Sequence, residues 1–164
     1  MKMKPDRLSH TARQRRLLLS ALFAGMFPLA AYSQGRPGLP RVEVWLSPSC
    51  GCCKDWVAHL EANGFRTVVY ETGNTAMRGR LGIASKYGSC HTARVGGYAI
   101  EGHVPAADIR RLLKERPQAI GLAVPGMPVG SPGMDGHEYK GRKDPYNVLL
   151  IMADGSASIY QPHP

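Results

Sequence analysis

Hydrophobic and polar positions follow two different periods along the chain after residue 40. Residues 41–46 alternate between β-branched or apolar and polar side chains, and residues 65–70 are similarly rich in β-branched and aromatic residues, which is typical of strands. Between them, residues 54–63 predict a helix that ends at Gly64, because Cys53, Trp56, Val57 and Leu60 fall on one side at three- and four-residue spacing. A strand, a helix and a strand with short links predict a parallel βαβ unit.

The pattern continues with a short helix, a β-hairpin and a second long helix, predicted at residues 74–85, 91–95 with 98–101, and 106–116. Gly96-Gly97 suits the two-residue turn of the hairpin, and Pro105 suits the first turn of the last helix. This order of elements is the order of a thioredoxin-like domain. The predicted fold class is therefore α/β, as one thioredoxin-like domain over residues 41–164.

Two features exceed that minimal fold. Residues 117–146 are rich in Gly and Pro, carry Met127 and Met134, and predict a loop of about 30 residues. A loop of this length in a small domain indicates either binding or disorder. After it, residues 147–152 and 156–160 predict a second β-hairpin around a turn at Asp154-Gly155.

The N-terminus predicts export. Residues 1–16 are basic, residues 17–31 are apolar, and Ala31-Tyr32-Ser33 has small residues where a signal peptidase cleaves. The apolar run includes Pro28 and is shorter than the roughly 20 residues that span a membrane, although an uncleaved anchor is the alternative. We therefore predict a signal peptide over residues 1–33, a flexible leader over residues 34–40 and an exported protein, with membrane contact only through the export signal.

Charge argues against nucleic acid as a partner. Removal of the predicted signal peptide takes away six of the 21 Lys and Arg residues and one of the 12 acidic residues, which leaves a net charge of +4. This charge is too small and too evenly spread to bind a phosphate backbone.

Three of the four cysteines fall within four residues, at Cys50, Cys52 and Cys53, between the first predicted strand and the first helix. The N-terminus of a helix favours the thiolate, which is both a nucleophile and a soft metal ligand. Only Cys90 lies elsewhere. Two structural disulfides are the simplest alternative in an oxidising compartment. They are awkward here, because the adjacent Cys52 and Cys53 would each need a partner in a different direction. The placement indicates thiol redox chemistry, metal binding, or both.

Each interpretation uses the cysteines differently. Cys50 and Cys53 have the C-x-x-C spacing of a redox pair, in which Cys50 attacks and Cys53 resolves the mixed disulfide. Cys52, a third thiol where thioredoxins usually carry proline, is better explained by metal. Thiolate sulfur bridges soft ions, so the cluster suits a polynuclear Cu(I) site better than a single tetrahedral Zn²⁺.

Other residue types in the chain suit the same ion. His91 follows Cys90 directly, and His103 lies just after the first hairpin. Met127 and Met134 offer thioethers, which bind cuprous copper well and zinc poorly. A methionine is more often core filler, but the loop that carries these two offers little core to fill. We therefore predict a copper site formed by Cys50, Cys52, Cys53, Cys90, His91, His103, Met127 and Met134.

Several motifs together resemble the CopG-type copper-resistance family of exported bacterial proteins: Cys50-Gly51-Cys52-Cys53, Ser89-Cys90-His91-Thr92, Glu101-Gly102-His103-Val104-Pro105 and residues 121–134. The resemblance runs from about Arg41 to Tyr160. It implies a thioredoxin-like fold and a periplasmic protein that holds a cysteine-bridged multicopper cluster and serves copper tolerance, with copper-linked electron transfer as a further role.

Three functions remain open at this point. The first is a periplasmic copper-binding protein whose partners are copper ions and other copper-handling or redox proteins of the periplasm. The second is a thiol–disulfide oxidoreductase that uses Cys50 and Cys53. The third is a structural or interaction module in which the cysteines only form stabilising disulfides.

Overall fold

The computed structural model describes residues 39–164, so the predicted signal peptide and most of the predicted leader lie outside the described residues. Three α-helices and seven strands make up this part of the chain, in the order β1 (Val42–Leu46), α1 (Gly51–Ala62), β2 (Thr67–Tyr70), α2 (Thr75–Arg80), β3 (His91–Val95), β4 (Tyr98–Glu101), α3 (Ala106–Glu115), β5 (Gly121–Ala123), β6 (Tyr146–Ile151) and β7 (Ala157–His163). Short 3-10 helices add Ser85–Tyr87 and His137–Tyr139.

In residues 39–164 the strands form one mixed sheet in the order β2-β1-β3-β4-β5-β6-β7. β1 pairs with β2 in parallel, as the βαβ pattern predicts, and β3 and β4 form the predicted hairpin about Gly96-Gly97. The predicted α/β single domain is thus confirmed. Its assignment as thioredoxin-like stays a prediction, although the order of the first elements is the expected one.

The first helix begins earlier than its apolar period indicates. It begins at Gly51 rather than at residue 54, with Cys50 as its N-cap residue in extended conformation. Its buried residues are the ones that the spacing predicts, namely Cys53, Trp56, Val57 and Leu60. The extra turn places Cys52 and Cys53 inside the helix, next to its unpaired backbone N–H groups.

The prediction of an uninterrupted loop over residues 117–146 is wrong. Residues Gly121–Ala123 form β5, parallel to β4 and antiparallel to β6, and all three are buried. A three-residue strand that begins with glycine carries almost no periodic signal. The glycine is required there, because a Cβ at Gly121 would lie 1.7 Å from the carbonyl oxygen of Ala99. β5 joins the C-terminal hairpin to the same sheet.

The core lies on both faces of the sheet. Ile100 and Leu122 belong to the larger cluster, with the buried residues of α1 and α3, whereas Ala99 and Ala123 pack with Ile83 and Tyr87. Neighbouring residues of a strand point to opposite faces, so each face has its own cover. No helix within residues 39–164 combines the length and hydrophobicity that crossing a bilayer requires.

Candidate metal centre

One edge of the sheet gathers the chemically active residues. β1, β4 and β5 all end at this edge and β3 begins there, because β3 runs antiparallel to β1 and β4, and β5 runs parallel to β4. The segments that leave these strand ends carry the cysteines, the histidines and the methionine-bearing loop. The pairing of distant strands therefore brings together residues that are far apart in sequence.

The first strand end leads into α1. The backbone N–H of Cys50 donates to the carbonyl of Ser47 at 3.0 Å, which closes the turn between β1 and the helix. Cys50 and Cys53 form a disulfide across this first turn, with their Cα atoms 5.3 Å apart. Cys52 has no disulfide partner among the described residues and is half-buried. The C-x-x-C spacing thus places two cysteines within bonding reach, and the third beside them.

Cys90 meets this cluster from the start of β3. His91 lies opposite Leu46 in the sheet, so Cys90 comes next to the segment that follows β1. The Sγ atom of Cys52 lies 3.6 Å from that of Cys50 and 3.9 Å from that of Cys90. The Sγ of Cys53 lies 3.6 Å from the carbonyl oxygen of Cys90. All four Sγ atoms lie within 4.8 Å of one another, close enough to share metal ions once the Cys50–Cys53 disulfide is reduced.

Two histidines complete a second group of donors around Cys90. The Sγ of Cys90 lies 3.1 Å from Nε2 of His103 and 3.4 Å from Nδ1 of His91. Nδ1 of His103 lies 2.8 Å from the carbonyl oxygen of Pro132. Because a carbonyl can only accept, Nδ1 carries the proton, and the lone pair of Nε2 faces the sulfur.

His91 is fully buried, and its Nε2 has no hydrogen-bond partner among the described residues. Its ring packs on Trp56, with the ring centroids 4.3 Å apart. The other ring nitrogen, Nδ1, faces the Cys90 sulfur at 3.4 Å, so Nδ1 is the atom placed to bind a cation together with Cys90. Soft sulfur and imidazole nitrogen are also the donors that copper prefers. The residues therefore fit a copper ion.

Burial sets the charge of the centre when no metal is bound. It raises the pKa of the Cys90 thiol to about 12, with the neighbouring Cys52 thiol as the next cause. Burial also lowers the pKa of His103, and it lowers that of His91 well below the usual value, with help from the charge of His103. The site therefore holds a neutral thiol and neutral imidazoles, so a cation that binds there displaces the thiol proton.

The predicted thioether ligands, Met127 and Met134, lie in the loop between β5 and β6, residues 124–145, which we call the covering loop because it packs on α1 and on the segment before Cys90. Gly133 packs so closely on α1 that a Cβ there would lie 2.6 Å from the carbonyl oxygen of Cys52. Met134 beside it is only 8% exposed, and Tyr139 donates its hydroxyl to the Met134 Sδ at 3.4 Å. The loop thus has a packed interior around Met134, whereas the prediction of a thioether ligand there assumed that the loop offers little core to fill.

Met127 is 52% exposed. Its neighbour Gly126 bonds to the segment before Cys90, since the N–H of Gly126 donates to the carbonyl of Gly88 at 3.1 Å. Met127 and Met134 thus lie beside Cys-bearing segments, and their role as ligands stays a prediction.

Sequence reasoning missed a buried pair behind Cys90. Glu101 and Arg78 form an ion pair at 2.8 Å in which the glutamate side chain is fully buried. Burial raises the pKa of Glu101, and the donors around it, from Thr92, Ser89 and Arg78, oppose that rise. The one signal in the sequence is an acidic residue at the end of an apolar strand, which is too common to identify such a pair.

Comparison with known proteins places this arrangement in a class and a family. A family of proteins of unknown function, DUF411, matches residues 87–134, which hold Cys90, both histidines and both loop methionines. Two solved structures, titled "Copper resistance protein copG- Form 2" and "Copper resistance protein copG- Form 1", are each 46% identical to this chain with a TM-score of 0.70. Each match covers 77% of this chain, and it covers 99% of the Form 2 chain and 98% of the Form 1 chain. A search of curated proteins found no match.

The fold and the centre define a single-domain α/β protein with a cluster of cysteine and histidine donors at one sheet edge. The identity to the two solved structures and its coverage show the family, so the chain belongs to the CopG copper-resistance family. The resemblance inferred from the motifs is thereby confirmed.

Proposed function

We propose that this protein is a periplasmic copper-binding protein that holds a thiolate-bridged, multinuclear Cu(I) site and serves copper tolerance. The observation that carries the proposal is the convergence of the four cysteine Sγ atoms within 4.8 Å of one another, with two imidazoles around the same Cys90. Family membership supports copper as the ion, since both similar structures are titled copper resistance proteins.

The number of donors favours more than one ion. A tetrahedral ion takes four ligands, whereas the cluster offers four thiols and two imidazoles once the Cys50–Cys53 disulfide is reduced, and Cys90 belongs to both groups. A sulfur shared between two groups is suited to bridge two ions. Met127 and Met134 would supply thioethers from the covering loop, and these favour the cuprous state. Neighbouring copper ions would permit copper-linked electron transfer with a redox or copper-handling partner of the periplasm.

Anaerobic reconstitution tests the proposal. The protein without residues 1–33 is reduced to open the Cys50–Cys53 disulfide, freed of reductant, titrated with Cu(I), and analysed for copper and for free thiols. We expect more than one copper ion per chain and protection of all four thiols from alkylation.

Cys52→Ser should lower the copper content, because Cys52 lies between the sulfurs of Cys50 and Cys90. His137→Gln is the matched control, since the His137 side chain is fully exposed. A chain that stays free of copper after this treatment would overturn the proposal.

One observation favours a second function, thiol–disulfide exchange. Cys50 and Cys53 form a disulfide at the N-terminus of α1, where the helix dipole stabilises the attacking thiolate of the reduced pair. Insulin reduction by the metal-free protein tests it. Turnover that survives Cys52→Ser and Met127→Ala but not Cys53→Ser would favour an oxidoreductase over a copper carrier.

A further inference from the structure

The buried ion pair of Glu101 and Arg78 lies directly behind the segment that carries Cys90. Arg78, on α2, has a side chain that is 16% exposed, and its Nε donates to Glu101 Oε1 at 2.8 Å. A buried ion pair contributes little net stability, because removing both charges from water offsets their attraction. Its presence in so small a domain therefore calls for a role besides stabilising the fold.

The pair fixes the backbone on one side of Cys90. The N–H of Ser89 donates to Glu101 Oε1 at 2.7 Å, and the Arg78 guanidinium donates to the carbonyl of Ser89. On the other side of the cysteine, the Thr92 hydroxyl donates to Glu101 Oε2 at 2.6 Å. One carboxylate thus accepts bonds from residues before and after Cys90, and its arginine partner holds the same Ser89.

Close packing leaves this segment little room to shift. A Cβ at Gly88 would lie 3.1 Å from the Arg78 guanidinium carbon, and a Cβ at Gly102 would lie 2.6 Å from the Ser89 side chain. The Asn74 side-chain amide adds a bond to the Ser89 carbonyl at 3.1 Å. The segment that carries Cys90 is therefore held by hydrogen bonds and by contacts at glycine positions.

The position of Cys90 matters more than that of any other cysteine, because its sulfur belongs to both groups of donors. It lies 3.9 Å from the Sγ of Cys52 and 3.1 Å from Nε2 of His103. A small displacement of Cys90 would change both distances at once. Groups that orient metal ligands in this way set the affinity of the site.

We propose that Arg78 and Glu101 are positioning residues that hold Cys90 where the cysteine and histidine donors meet, and so set the Cu(I) affinity. This inference rests on the proposed function. Arg78→Lys is the most direct variant, because an ammonium keeps the charge but lacks the planar fork that reaches both Glu101 and the Ser89 carbonyl. We expect the Cu(I) affinity to fall about 10- to 100-fold, and Glu101→Gln to change it in the same direction.

Competition with a Cu(I) chelator, under anaerobic conditions, measures the affinity of each reduced variant. Arg94→Lys is the matched control, since Arg94 forms an ion pair with Glu43 at the other end of β3. It should bind Cu(I) like the unaltered protein. Circular dichroism establishes that each variant is folded, and if Arg78→Lys is not, Glu101→Gln carries the same comparison.

The decisive comparison repeats the variant in a Cys90→Ser background. A pair that acts through Cys90 has no further effect on the affinity there, whereas a general structural defect would lower it by the same factor in both backgrounds. Equal affinity of Arg78→Lys and the unaltered protein, or an equal loss in both backgrounds, would overturn the positioning role. Failure of the unaltered protein to bind Cu(I) would instead overturn the proposed function.

Discussion

His91 and His103 each have a fully buried side chain and one ring nitrogen near the Cys90 sulfur. Their rings meet edge to face, with the centroids 4.9 Å apart. Two protonated imidazoles at this distance would repel each other and would lack water to solvate them. Neutral rings are also the form that binds a metal, so burial keeps these two proposed ligands unprotonated at neutral pH.

The same burial predicts how the stability of the metal-free protein depends on pH. Burial lowers the pKa of His91 and His103 below 6.5, the ordinary value that holds in the unfolded chain. Between the two values the unfolded chain binds more protons, so the free energy of unfolding falls as the pH drops below 6.5. We expect up to about 1.4 kcal/mol per pH unit for each histidine, measured by urea unfolding at pH 7, 6 and 5.

A matched comparison isolates these two residues. His91→Gln with His103→Gln should flatten the dependence between pH 7 and 5, although part of it stays because burial also lowers the pKa of His59. His137→Gln, which alters a fully exposed side chain, should leave it unchanged. An identical slope in the double variant and the unaltered protein would contradict the assignment.

At the scale of elements, the covering loop makes a close contact with α1 beside the cysteines. The loop turns at Ser131, where the N–H of Met134 donates to the Ser131 carbonyl at 2.8 Å. Gly133 follows with a positive φ of 82° and meets the backbone of Cys52 and Trp56. The loop thus touches the helix turn that carries the thiols, and it holds His103 through Pro132.

This contact predicts a difference between two glycines that both have positive φ. Gly133→Ala must strain the backbone and must also push the loop away from α1, whereas Gly126→Ala only strains it, because no atom lies within 4 Å of its added Cβ. The shared strain costs about 1 kcal/mol, and the overpacking at Gly133 adds about 1–3 kcal/mol. Thermal unfolding of both reduced, metal-free variants measures this.

The loop also carries Met134, so Gly133→Ala should lower the Cu(I) affinity, while Gly126→Ala should lower it less. Equal melting temperatures for the two variants would show that the close approach of the loop to α1 does not matter for stability.

At the scale of the whole molecule, the described residues bury one apolar cluster on each face of the sheet, with Val42 of β1 in the larger and Ile151 of β6 in the smaller. α3 fastens the last strand through Asp108, whose carboxylate lies 2.9 Å from His163 Nε2. The four cysteines and the two histidines of the centre all lie after residue 33. We therefore expect the protein without residues 1–33 to fold and to bind copper.

Export supplies the corresponding test. We expect the protein recovered from the periplasm to begin at Gln34, because cleavage after Ala31-Tyr32-Ser33 follows the small-residue rule of signal peptidases. Mass spectrometry of the intact protein reads the N-terminus directly. The full mass of all 164 residues in the membrane fraction would instead indicate an uncleaved anchor.

Local sequence identified most of the elements and three of the six donors of the centre. The apolar spacing of α1 identified its buried residues, Gly96-Gly97 identified the hairpin, and three cysteines within four residues remain neighbours in any fold. These features depend on backbone geometry over a few residues, so they can be read without the fold. β5 was not predicted, because three residues are too few to show a hydrophobic period.

Only the tertiary structure decided which distant residues meet. Cys90 lies 37 residues after Cys53 and 13 before His103, and strand pairing alone brings these residues together at one sheet edge. The Glu101–Arg78 pair joins β4 to α2 for the same reason. Such contacts arise from the register of the sheet and the packing of helices on it, which no local pattern encodes. The sequence thus specified the donors, and the fold brought them together.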